Sequence, residues 1–278
     1  MLQIGTRDVH GETFGDAVAD KKLLVEKQSI TYDGEPFNNW GVNRDTNVEV
    51  HIYEDGVIHD IEVDECNYLG NYGGTIYKAY FGIGTFDNQG TINEVRTYGT
   101  FNNEGNIGNV CMKASADIFT NEGQIDTFTM LYGTLVNHEL IKTLTITDGA
   151  SSSIDNRGTI CTAILDGAGY NFDNRGAINE VFMNLYYVND TFTNEGLIDA
   201  FTLRGNGTLV NNEQINTLTM SGGVLDNAGG YIETLYYSGG TIECEGNIGE
   251  IIYVDNANVE ADADWQDAAP LGEEVMVW

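Results

Sequence analysis

The chain has 278 residues, with 12 Lys and Arg against 43 Asp and Glu, for a formal charge of −31. A field of that sign excludes nucleic acid and anionic lipid as working partners, because both are held by basic surfaces. With 41% hydrophobic residues, 34 Gly and 2 Pro, the sequence is no disordered acidic tail, and it reads as many short strands joined by tight turns.

The N-terminus, Met1-Leu2-Gln3-Ile4-Gly5, lacks a basic start followed by an apolar core, so no secretion signal is read there. No apolar run reaches the roughly 18 residues of a membrane helix, and no membrane insertion is expected. Residues 1–50 hold five of the twelve basic residues together with Pro36 and Trp40. They are expected to form an N-terminal cap, with a short helix near Phe14–Lys27, that keeps an open stack of strands from pairing at its edge.

A repeat occupies residues 51–254. The phrase apolar-x-Asn-x-Gly-x-Ile occurs as Phe86-Asp87-Asn88-Gln89-Gly90-Thr91-Ile92 and again as Phe101-Asn102-Asn103-Glu104-Gly105-Asn106-Ile107, with further copies beginning at Phe119, Ile154, Phe172 and Phe192. Copies at Leu135 and Leu209 carry Glu139 and Glu213 in place of Gly. Aligned on the last residue, the series is Ile58, Ile76, Ile92, Ile107, Ile125, Ile141, Ile160, Ile178, Ile198, Ile215, Ile232 and Ile248, which gives twelve copies at steps of 15 to 20 residues. Three residues after each Ile stands an apolar residue in all twelve copies, and five after stands one in all but the copy with Thr97. Positions +3 and +5 therefore share one side of a strand.

A repeat of about 17 residues cannot bury its apolar side alone, so the copies must stack. The expected fold is all-β: a single chain wound into a parallel β-helix of about twelve coils, right-handed because its steps vary where a left-handed hexapeptide helix would hold strict units of six. The Asn four residues before Ile (Asn88, Asn103, Asn121, Asn137, Asn156, Asn174, Asn194 and Asn211) is expected to form an asparagine ladder inside one corner. The Gly two residues later is expected to supply a positive φ. Trp265, Pro270 and Trp278 fall in the last stretch, 255–278, an acidic segment read as a C-terminal cap or linker.

The Asn-x-Gly-x-Ile phrase between apolar columns, over residues 52–253, resembles the repeats of large exported bacterial adhesins, namely filamentous-haemagglutinin-like exoproteins and autotransporter passengers. The resemblance implies a long right-handed β-helix that holds a binding region away from a cell, and a secreted or cell-surface location within a larger exported protein. A cytoplasmic protein is the alternative. The chain departs from that pattern in its short coils, its acidity and its missing signal, and no functional residue carries over.

No motif for chemistry emerges. Cys66, Cys111, Cys161 and Cys244 lack zinc or redox spacing and are expected to be free thiols. His10, His51, His59 and His138 form no ligand cluster, and nucleophile-elbow, zinc-protease and phosphate-loop signatures are missing. No metal, cofactor or catalytic residue is assigned, and the chain is not expected to be an enzyme. Arg157 and Arg175, neighbours in the row three before Ile with no carboxylate between them in that row, are a minor candidate for an anion site.

The candidate contact surface is the outward side of the strand after Ile, at positions +2 and +4. Its residues are Thr127, Thr129, Thr143, Thr145, Thr162, Ile164, Phe182, Thr202, Thr217, Thr219 and Tyr236. One charge, Glu180, stands among the 14 positions of its central rows, where a solvated face of this chain would hold about three at 20% charged residues. β-propensity alone favours Thr there. The leading functional expectation is a structural or adhesive module binding a carbohydrate or cell-surface ligand through this face, or associating with itself. The alternatives are a carbohydrate-active β-helix enzyme and an ice- or crystal-binding solenoid.

Overall fold

The computed structural model describes residues 2–3, 22–25, 29–30, 49–53, 57–113, 118–147, 152–166, 169–185, 190–244 and 246–254. Within them, side chains are described at Ile52 and from Tyr68 onward, except at 185 and 244. All the described strands run parallel and join one sheet of 23 strands, with no helix among the described residues. The expected helix near Phe14–Lys27 is not found where that stretch is described: Lys22–Val25 is a strand, paired in parallel with Glu49–Tyr53. The rest of that span lies outside the described residues.

Two ladders carry the fold. In the first, the twelve Ile of the repeat stand in one register column from Ile58 to Ile248. In the second, Leu69, Phe86, Phe101, Phe119, Leu135, Ile154, Phe172, Phe192, Leu209 and Leu225 are aligned in the same way. The result is a β-solenoid of about ten turns, not twelve, with coils about 17 residues apart. Ile248 is only half-buried, whereas Ile232 one coil earlier is fully buried.

The interior is lined by the columns that the repeat defines. Ile76 to Ile232 are buried, and the +3 column is sealed from Ala79 to Leu235. The +5 column is sealed from Phe81 to Met220 and includes Thr97, whose hydroxyl satisfies itself on the Gly99 backbone. Aromatic rings bridge the two ladders: Phe119 meets Phe128 edge-on at 4.8 Å, and Phe192 meets Phe201 likewise at 5.0 Å. Burying each such side chain contributes about 1.5–3 kcal/mol.

The corner between the ladders holds the asparagine ladder. Among the described residues it has ten members, because Asn71 and Asn227 extend the eight found from spacing. Each Nδ2 donates to the Oδ1 of the next Asn, over nine successive bonds of 2.6 to 2.9 Å from Asn71 to Asn227. The same amides hold their own turns; Asn88 Nδ2 donates to the Gly90 carbonyl and Asn88 Oδ1 accepts the Gly90 N–H. Side-chain bonds in this corner point towards the C-terminus. The turn backbone points the other way, as when Arg157 N–H donates to Asn137 O and Arg175 N–H to Asn156 O.

The glycine that follows each Asn has a different reason from the one expected. None of Gly90, Gly105, Gly123, Gly158, Gly176 or Gly196 is among the positive-φ glycines. A Cβ at Gly105 would lie 2.1 Å from the Gly90 carbonyl oxygen, and one at Gly176 would lie 2.1 Å from that of Gly158. Glycine is selected here because consecutive turns approach too closely for a side chain.

Candidate functional site: the outward face of the isoleucine ladder

Strand alternation turns +3 and +5 inward and leaves +2 and +4 facing out. Ladder register then aligns the outward positions coil upon coil. Thr127, Thr143, Thr162, Glu180, Ala200, Thr217 and Thr234 form one row, and Thr129, Thr145, Ile164, Phe182, Thr202, Thr219 and Tyr236 form the other. The structure therefore places all eleven candidate residues on one surface, each half-buried between its neighbours above and below. Charge bounds this surface at both ends. Lys78, Glu94 and Arg96 occupy the same two rows before it, and Glu250 follows it.

Near the middle the surface dips. A shallow depression is lined by Ile164, Phe182, Thr202, Asp166, Asn184 and Arg204. Ile164 and Phe182 are register partners, so two apolar side chains stand together at the centre of a surface otherwise made mostly of threonine. The strands beneath are paired on both sides, so no strand edge is open along the face.

The proposed anion spot at Arg157 and Arg175 is overturned. Asp155 lies between the two guanidinium groups, accepting from Arg157 Nε at 3.0 Å and from Arg175 Nη1 at 2.8 Å. Arg175 Nε also donates to Glu195 at 2.9 Å, and its two carboxylate partners raise its pKa further above the ordinary value, the Glu195 hydrogen bond foremost. The row read from sequence contained only every coil's −3 residue. Asp155, two residues before Arg157 on the same pleat side, was the signal that it omitted.

Asp190 and Tyr170 carry no signal in spacing or motif. Both are buried in adjacent coils at the start of the second ladder. Asp190 Oδ1 accepts the backbone N–H groups of Gly169 and Tyr170, as a cap for an irregular turn. Asp190 Oδ2 and the Tyr170 hydroxyl have no hydrogen-bond partner among the described residues. Burial, with Asp190 and Asp166 nearby, pushes the Tyr170 phenol well above its ordinary range.

Cys111 and Cys161 are unpaired and half-buried, and burial pushes the Cys111 thiol up. The side chains of Cys66, Cys244, His51 and His59, and all of His10, lie outside the described residues. Among the described residues no three His, Cys, Asp or Glu side chains gather as metal ligands, and no helix is long and apolar enough to cross a membrane. No family model, curated protein or solved structure matches the chain.

Proposed function

We propose that this chain is a structural and adhesive β-solenoid module, working at a cell surface within a larger exported protein, and that it makes contact through the face from Thr127 to Tyr236. One observation carries the reading. On a chain of charge −31, two register-aligned rows hold a single charged residue over seven coils, while charges resume in the same rows at both ends. β-propensity accounts for the threonines. It does not account for Ile164 beside Phe182, nor for the loss of charge only here. Flat, uncharged surface with an apolar centre is the composition of a contact area.

The test places Lys at Thr145, Ile164 and Phe182 together and measures binding to cell surfaces and to immobilised glycans, with circular dichroism as the check on folding. Loss of binding by a folded variant supports the reading. Unchanged binding makes this face an ordinary sheet surface and ends it.

A further inference from the structure

We infer that the partner of this face is a second copy of the chain, packed face to face; the inference rests on the reading above that the face is a contact surface. The choice of partner follows from what the rows lack. A sugar is held chiefly by carboxylates, amides and guanidinium groups that meet its hydroxyls; the rows themselves hold only Glu180 of these types, and the depression adds Asp166, Asn184 and Arg204 at one place only. A peptide strand needs an open sheet edge, and these strands have both edges paired. Two copies each carrying −31 repel one another everywhere except where their facing surfaces are free of charge. A face with one charge in fourteen positions on an acidic rod is therefore what like-with-like contact favours.

Symmetry then fixes the register. Two copies meeting through one shared patch are related by a two-fold axis. An axis along the strand direction, between Thr159–Asp166 and Ala177–Leu185, sets Ile164 of one copy on Phe182 of the other, and does so twice. The same axis sets Glu180 opposite Thr162 of the other copy, one coil away from its own counterpart. It also sets Asp166 opposite Asn184 in the depression. An axis through the Phe182 coil itself would set Glu180 on Glu180 and is disfavoured.

Area sets the strength. Seven coils extend about 30 Å along the axis at strand spacing, and the two rows span about 7 Å across, so the rows themselves give roughly 400 Å² buried over both copies. That is below the ~1,200–2,000 Å² of stable complexes, so the pair forms at high local concentration, as when modules are crowded on one surface.

Sedimentation velocity of the intact chain, from micromolar to millimolar concentration, tests this. The expected result is a dimer fraction that rises with concentration and with added salt, as screening relieves the repulsion. Ile164→Glu and Phe182→Lys should each weaken the dimer about tenfold or more, as loss of a central contact does. An equimolar mixture of the two variants should dimerise again, because the carboxylate introduced at position 164 of one copy then faces the ammonium introduced at position 182 of the other. A chain that stays monomeric throughout, a dimer indifferent to Phe182→Lys, or a mixture that fails to re-form overturns the inference. If the chain is monomeric yet the triple Lys variant loses cell binding, the contact face stands and only the second copy is wrong.

Discussion

Glu139 occupies the column position directly above Gly123, and the hydrogen bond beside it is stretched. Leu140 N–H reaches the Gly123 carbonyl at 3.2 Å, and beside Glu213 the equivalent bond from Gln214 to Gly196 is 3.3 Å. In the coils with glycine at this place from Gly90 to Gly230 the same bond measures 2.8 to 3.0 Å, from Thr91 to Gly74 and from Tyr231 to Glu213 among others, and it lengthens again to 3.3 Å only in the last coil, from Asn247 to Gly230. Both inner coils that carry a side chain in this column have the lengthened bond.

Gly176→Ala should therefore destabilise the chain by about 1–3 kcal/mol, the usual range for an atom forced into a filled site. Its Cβ would meet the Gly158 carbonyl at 2.1 Å, and backbone cannot step aside as a side-chain tip can. Urea denaturation against the parent measures the loss; an unchanged midpoint would show that the turns have more room than their carbonyls indicate.

Asn156→Leu should be costlier. It strands the Asn137 amide donor and the Asn174 acceptor in a buried corner, and each unsatisfied group costs about 1–3 kcal/mol. Asn156→Asp gives a pH-dependent version. Ionised Asp can accept from Asn137 but faces the Asn174 and Gly158 oxygens without a donor, so the folded state holds its proton more tightly than the unfolded chain. The deficit relative to the parent should be smallest below about pH 4 and grow as pH rises above the unfolded carboxyl value. Urea midpoints of both variants and the parent across that pH range measure the two effects.

Tyr170→Phe should leave stability unchanged or raised at neutral pH, since it removes a buried hydroxyl that has no partner among the described residues. The phenol titrates higher folded than unfolded, so the parent loses stability as pH climbs through the ordinary tyrosine value near 10. The Phe variant should lose less over the same alkaline range. Denaturation midpoints at neutral and alkaline pH measure both effects, and parallel curves for the two proteins would count against a buried Tyr170.

Arg175→Gln should lower the melting temperature at low ionic strength, because Asp155 and Glu195 lose a shared cation on an already acidic rod. Added salt should close the gap to the parent. A deficit that salt does not touch would point to packing of the side chain instead.

The repeat was legible because period and spacing report directly on stacking. The Ile column and eight of the ladder asparagines follow from it. Asn71 and Asn227 escaped because each stands five residues before its Ile, with an extra residue in a Gly-Gly turn. The glycine column was found but misread, since a sequence shows that a side chain is unwelcome without showing whether the backbone angle or the coil below excludes it. Asp155 and the Asp190–Tyr170 pair were out of reach for a related reason. Each depends on which residues different coils bring together beyond the aligned columns, and coils of 15 to 20 residues blur that alignment outside the strands. The outward rows could be named in advance, but not the dip between Ile164 and Thr202.

The opposed hydrogen bonds of the asparagine corner bear on the potential at the tips of the rod. Nine amide dipoles aligned head to tail would act as one extended moment, with opposite partial charges at its two ends, as in a helix. The turn amides beside them are aligned the other way, so the two fields oppose each other at every coil. Adding a coil therefore adds amides of both senses, and the tips carry only the difference between the two sets.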